Sequence, residues 1–454
     1  MNALSRWNKV SGFAETCVRA LCAVAFVLAL ASSPVFARPQ AASPEISELT
    51  PKAISHERQL WNKAILKLQV PSKGCHEAKY PAVEWTTVPC RTGPAKNLPT
   101  PRSMLGLAPG TPPKASNKLV GGSADDFFAQ VPTSRTGTLI GTIASAHGSF
   151  DKVTVTGERN VSADGIPTRR SEYSLQLNTN RFQSPLCSAA PNTACLGWQQ
   201  FIFANDPASP PSYTQTQYFL LNYNVNNGGS CPSGWTPSKD NCFIFSPMSN
   251  IPTQNIESLI NISMTVRAEA NGTDTMIFTD PNGGVYASNA DSILTLAPNW
   301  TAAEFNVFGD LSFHEAVFDP GSSLVVRTQV DLANATPVPT PVAVLLGLTG
   351  ESNSLTLVQP ACTIGSPFFA ITFEESNVPG ASYTCPTSQP TQNLCQDSKE
   401  LVAFDQKALA TAQSAFHTPT CQGPGMLLCE QRIKADQQAL QDAEAQEKKD
   451  CPVH

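Results

Sequence analysis

The sequence predicts a mainly β protein: an antiparallel sandwich or barrel, stapled by disulfides and closed by a helical hairpin. Three observations predict it. From Lys118 onward, short runs rich in Val, Ile, Thr, Phe and Tyr alternate with clusters of Gly, Asn, Pro and Asp, the pattern of many short strands joined by turns. Twelve cysteines form an even, closely spaced series beyond the first 37 residues. After about residue 389 the apolar period lengthens from that of a strand to that of a helix.

The chain opens with an export segment, residues 1–37. Arg6, Lys9 and Arg19 give it a positive start, and an apolar run follows from Ala20 to Ala31. Val35-Phe36-Ala37 is a small-residue cleavage pattern, and the run is short for a bilayer span. Residues 38–92 form an N-terminal segment with a helix expected over Ile46–Leu68. There Leu60, Trp61, Ile65 and Leu68 make one stripe. A disulfide loop follows. Residues 93–117, rich in Pro, Gly and Lys without a period, read as a linker.

Residues 118–388 carry the β domain. Expected strands are Thr138–Ala144, Lys152–Gly157, Tyr173–Leu177, Gln199–Phe203, Gln217–Asn222, Ser263–Ala268, Thr275–Phe278, Glu304–Phe308, Leu324–Val330, Val342–Leu348, Ser354–Val358 and Phe368–Phe373. Thr279-Asp280-Pro281-Asn282-Gly283-Gly284 reads as a hairpin turn. Residues 389–454 form the tail, with helices over Ser398–Ala415 and Leu427–Glu447.

Neighbouring cysteines are expected to pair: Cys75 with Cys90, Cys187 with Cys195, Cys231 with Cys242, and Cys362 with Cys385. In an antiparallel helical hairpin, Cys395 would meet Cys451 at one end and Cys421 would meet Cys429 at the other. The Cys75–Cys90 loop alone should add about 3 kcal/mol.

Composition narrows the function classes. Only 15% of residues are charged and the net charge is −6, against a usual charged share of about 25%. No Lys/Arg run exists, so nucleic acid is not an expected partner. No Gly-x-Ser-x-Gly elbow, His-Glu-x-x-His or phosphate-cradling loop is present. No metal site and no cofactor are expected. Asp280, Asn282 and Asp291 carry oxygen ligands of the calcium type, yet their spacing suits turns better. His147 and His314 are the histidines inside the β domain, and either alone is a thin basis for a Ser–His mechanism. The expected setting is secreted, extracellular or periplasmic, with no membrane span in the mature chain. The expected partner is an extracellular polysaccharide or polypeptide.

Polar residues embedded in aromatic strands mark the candidate site. Alternation puts Trp198, Gln200 and Ile202 on one face of their strand. Gln215, Gln217, Phe219, Leu221 and Tyr223 form a second row. Glu304, Asn306 and Phe308 lie opposite Phe305 and Val307. A Glu inside an aromatic strand is costly unless its face is wet or the group is bonded or protonated. A face of Trp, Gln, Glu and Asn suits a groove for a polar polymer. The plain alternative is that Gln200 and Glu304 are exposed polar residues on a sheet surface.

The order of these segments resembles the eqolisin-type glutamic peptidases, whose fold is a bent sandwich of concanavalin-like form. Gln199-Gln200 and Ala303-Glu304-Phe305 stand where that family carries its Gln and its Ala-Glu-Trp-like strand, and Gln217-Tyr218-Phe219 matches the aromatic strand between them. The resemblance implies that Glu304 is the general acid/base that activates water and that Gln200, or its neighbour Gln199, stabilises the oxyanion. Such chemistry uses a protonated carboxyl, so activity is expected at acid pH. Phe305 stands where the family has Trp. YSLQLNTNRF, GWQQFIF and AEFNVFGD also resemble a group of secreted bacterial proteins of unassigned function.

Three functions are therefore open. The first is a secreted binding protein whose groove holds a saccharide or extended peptide, with Trp198 and Tyr223 stacking on it and Gln217 and Asn306 bonding to it. The second is an acid endopeptidase using Glu304 and Gln200. The third is a polysaccharide hydrolase pairing Glu304 with Glu374 or Glu375.

Overall fold

The computed structural model describes residues 56–71, 73–91, 122, 126–132, most of 140–386 and scattered positions from 399 to 451. The expected export segment, the linker and the hairpin loop lie outside the described residues. The chain is mainly β, with antiparallel sheets and little helix.

Two large sheets dominate. The first runs in the order Thr86–Val88, Gly74–Ala78, Val285–Asp291, Thr273–Thr279, Ser263–Ala268, Ile143–Thr154, Ser323–Leu332, Ala370–Ser376 and Thr356–Ile364. The second runs Thr236–Ser238, Asn241–Phe245, Ser212–Leu221, Leu196–Asn205, Tyr173–Thr179, Ala302–Gly309, Phe127–Gln130 and Thr340–Ala343, with Ser249–Ile251 also on the 212–221 strand. A small third sheet joins Ser352–Asn353, Glu315–Phe318, Glu158–Val161 and Pro167–Arg170. Its 315–318 and 352–353 strands pair in parallel.

The two large sheets share one core, because alternate side chains on each point toward the other. Phe203 stacks on Phe278 of the first sheet with ring centroids 4.3 Å apart, Phe150 meets Phe305 at 5.3 Å, and Phe127 meets Phe373 at 5.7 Å. Gly148 lets the sheets approach here: a Cβ at that position would lie 2.1 Å from the Phe305 ring. The helix His56–Lys67 buries Trp61, Ala64 and Ile65 on Ile277, Val285 and Ala287, the outer side of the first sheet. The predicted stripe therefore holds, over the described part of the expected helix.

Several boundaries differ from expectation. Ala144 and Lys152–Thr154, expected in two separate strands, belong to one. One strand, Ile143–Thr154, spans the interval, bent by a bulge opposite Val325 and Val326. Such a bulge shifts the alternation, which hides a long strand from a period-two reading. The 279–284 turn is as expected. Asp280 Oδ1 accepts from Asn282 N and Gly284 N at 2.8 Å each, and Gly283 takes a positive φ of 78°. These are turn contacts, and among the described residues no His, Cys, Asp and Glu group is arranged to hold a metal.

Four disulfides form as expected: Cys75–Cys90, Cys187–Cys195, Cys231–Cys242 and Cys362–Cys385. Of the two other expected pairs, Cys395, Cys421 and Cys429 lie outside the described residues, whereas Cys451 is disulfide-bonded. Of the tail, Val402 and Leu440 pack into the cluster that holds Trp61 and Ile65. Among the described residues no helix is long and apolar enough to cross a membrane.

Candidate functional site

Register builds the site. Along the second sheet Glu304 lies opposite Asn178, Asn178 opposite Gln200, Gln200 opposite Gln217, and Gln217 opposite Phe245. Directly opposed residues in an antiparallel sheet share a face. These five therefore form one row across five strands. Two residues along, Asn306, Gln176, Ile202 and Gln215 form a parallel row on the same face. Phe305, Leu177 and Phe201 point the other way, into the core.

The same alternation separates the two glutamines that the sequence left as alternatives. Gln199 faces the core, where its Nε2 donates to Asp274 Oδ2 of the first sheet at 2.8 Å. Burial pushes the Asp274 carboxyl up to about 6, partly offset by its bonds from Gln199 and Ser292. Gln200 is the one that shares a face with Glu304.

Glu304 and Gln200 are both fully buried, so they are not exposed sheet-surface polars. An amide network joins them. Asn178 Nδ2 donates to Glu304 Oε2 at 2.6 Å and to Gln176 Oε1 at 3.2 Å. Gln200 Nε2 donates to the same Gln176 oxygen at 2.6 Å. Gln176 Nε2 in turn donates to Glu351 Oε2 and to Ser174 Oγ, both at 2.8 Å. Burial raises the Glu351 carboxyl to about 7, although Gln176, Thr349 and Gln200 favour its ionised form. Gly122 lies over the row. Its backbone N–H donates to Glu304 Oε2 at 3.1 Å, and a Cβ there would sit 2.0 Å from the Phe308 ring.

Asn306 shares the face but serves a different cluster. Its Nδ2 donates to Asp126 Oδ2 and to Glu375 Oε2, each at 3.1 Å, and Asn353 Nδ2 also donates to Glu375. Gln217 lies in the row with Glu304, and both ends of its amide lack a hydrogen-bond partner among the described residues. So does Gln200 Oε1.

Two expected ligand-stacking residues are placed otherwise. Tyr223 joins the core between the sheets, not the outer row. Its strand ends at Leu221, and Asn222 takes a positive φ of 53°, which breaks the alternation assumed from sequence. Trp198 does share the face of Gln200, but it is fully buried. Its Nε1 donates to Thr179 O at 3.0 Å, and its ring lies 4.9 Å from that of Phe219. Both rings are used in packing, so neither offers an open stacking surface. Glu374 and Glu375 belong to the first sheet. Glu374 is held by Ser323 and Lys152. His147 is bonded to Thr265, and His314 to Asn160.

Sequence reasoning missed Asn178, Gln176 and Glu351. The first two carried a signal, since Ser174, Gln176 and Asn178 alternate with Leu175 and Leu177 in YSLQLNT. Glu351 carried none. It stands beyond a Pro-rich break, and only the fold brings it under Gln176.

The chain matches no family model and no curated protein. Solved structures similar to it include scytalido-glutamic peptidase with a peptide-based transition-state analogue, at 10% identity over 57% of this chain and 98% of that one, with a TM-score of 0.26. SCP-B, a member of the eqolisin family of peptidases in complex with the tripeptide Ala-Ile-His, is similar at 11% identity over the same shares, with a TM-score of 0.25. Scytalido-glutamic peptidase with a transition-state analogue inhibitor is similar at 9% identity over 57% and 98%, with a TM-score of 0.24. The likeness to glutamic peptidases is weak in both superposition and sequence.

Proposed function

We propose that this protein is an acid endopeptidase of glutamic type, working outside the cytoplasm on a concanavalin-like sandwich with a helical-hairpin tail. One observation carries the reading: Glu304 and Gln200 stand in one cross-strand row on one face, with Asn178 between them. Opposite faces would have excluded it.

Glu304 starts protonated: it gives its proton to the leaving amine and takes one from the attacking water, so it ends the cycle protonated again. Gln200 supplies an amide N–H to the oxyanion by giving up its bond to Glu351 while keeping the one to Gln176. Asn178 fixes the Glu304 carboxylate from the side. Gln217, unbonded at both amide ends among the described residues, suits a substrate backbone, whose peptide groups offer a matching donor and acceptor. A peptide that reaches Glu304 takes the place of the Gly122 N–H.

Four disulfides favour an oxidising compartment. The binding-protein reading loses the stacking that Trp198 and Tyr223 were to provide. The test is a comparison of wild type with Glu304→Gln on a denatured protein at acid pH. Cleavage in the wild type, with kcat reduced at least about 100-fold in the variant, supports the proposal. Equal turnover in both removes it.

A further inference from the structure

The face that carries Glu304 changes chemistry along its length. From Glu304 to Gln217 the row is carboxyl and amide. One strand further it reaches Phe245, directly opposite Gln217. Two residues along, on the same face, Trp198 stands opposite Phe219, and Phe219 opposite Phe243. These rings form a cluster of their own, separate from the core between the sheets. Trp198 and Phe219 are its buried floor. Phe243 and Phe245 have ring centroids 4.9 Å apart, each lies 6.4 Å from Phe219, and both are only half-buried. The Cys231–Cys242 bridge ties the strand that bears them to the core side.

The reaction sets a direction along this row. Glu304 protonates the leaving amine and Gln200 binds the oxyanion. The amine side of the scissile bond therefore points toward Glu304, and the acyl side toward Gln217. From Gln200 to Phe245 is two strand steps, about 10 Å at the usual spacing, and an extended peptide covers that distance in about three residues. On the way it passes Gln217, fully buried and unbonded at both amide ends among the described residues. We propose that Phe243 and Phe245 form a specificity pocket for a large apolar side chain two or three residues on the N-terminal side of the scissile bond, while Gln217 holds the backbone between. Apolar walls with a few polar groups that fix orientation are the usual make-up of a ligand pocket. The side of the cut assigned to the pocket rests on the reading of Glu304 and Gln200 as the reacting pair. The aromatic cluster itself does not.

Two measurements on the full-length protein separate the two claims. The first is kinetic and uses extended peptides that differ at one position, which carries Phe, Leu, Ala or Asp. At acid pH, kcat/KM should be at least about tenfold higher with Phe or Leu than with Ala or Asp two or three residues before the cut, the discrimination an apolar pocket gives. The same side chains placed three residues after the cut should bring no such gain. Phe243→Ala and Phe245→Ala should each shrink the ratio. The ratio is taken within one protein, so a change in folded fraction does not alter it, and the wild-type series decides the matter should a variant not fold. The second measurement needs no turnover. The Phe and Ala peptides are titrated onto Glu304→Gln by calorimetry. The Phe peptide should bind about tenfold tighter, and the difference should be lost when Phe245→Ala is added. Cleavage without preference at these positions, or with a preference that both Phe variants retain, overturns the pocket and leaves the peptidase reading standing. A wild type that cleaves nothing, with Phe-dependent binding present and lost in the double variant, keeps an apolar side-chain pocket beside Gln217 and defeats the peptidase reading alone.

Discussion

Glu304 is a carboxyl with no exposed surface that accepts from the Asn178 amide and the Gly122 N–H. Its value lies in the proton it can move, and removal of a general acid/base typically costs about 10² to 10⁴ in rate. Gln200→Ala should lower kcat by about 10²-fold or more, the usual loss for one oxyanion donor. Gln217→Ala should act differently, raising KM more than it lowers kcat, because Gln217 stands three strands from Glu304 along the row. Steady-state kinetics on one peptide series checks both. Glu304, Gln200 and Gln217 were legible in the sequence because strand alternation reports which residues share a face. Asn178 and Gln176 needed the cross-strand register as well. Tyr223 failed because a single positive φ at Asn222 undid the alternation.

At the scale of elements, the site depends on how closely the two large sheets meet behind it. The Phe305 ring, adjacent in sequence to Glu304, lies in the space that a side chain on Gly148 would take. Gly148→Ala should therefore destabilise the fold by about 1–3 kcal/mol through overpacking, read as a lower denaturant midpoint. The Cys362–Cys385 bridge ties the edge strand Thr356–Ile364 to the chain beyond Ala370–Ser376. Replacing both cysteines with serine should cost about 2–4 kcal/mol. Sequence proximity was enough to foresee four disulfides, since each pair closes a short loop. It was not enough for the 143–154 strand, where a bulge opposite Val325 and Val326 breaks the pattern that marks a strand.

Across the whole molecule, buried acids give the fold a preference for low pH. Burial and the neighbouring Glu172, Asp310 and Asp319 raise Glu158 to about 9, burial raises Glu351 to about 7, and burial raises Asp274 to about 6. Each folded value exceeds the ordinary carboxyl value. Each group therefore favours the fold fully at low pH, and loses that contribution as pH climbs from the ordinary value to the raised one. Glu351 alone, moved from 4.5 to about 7, corresponds to about 3 kcal/mol lost by pH 8. His147 runs the other way: burial lowers it to about 4, and its stabilisation is lost as pH falls from 6.5 toward 4. His314 is lowered by burial as well, and Asp280 is raised by it. The four raised carboxyls outweigh the two histidines between pH 5 and 8, so the melting temperature should fall over that interval. Glu158→Gln should flatten the fall. A protein steadiest in mild acid suits acid chemistry. The first assay is thus hydrolysis of denatured protein across roughly pH 2–7, the span of carboxyl titration, by wild type and Glu304→Gln. Cleavage confined to acid pH and lost in the variant is the expected outcome. Cleavage that survives in Glu304→Gln, or none at any pH in wild type, would remove Glu304 from catalysis.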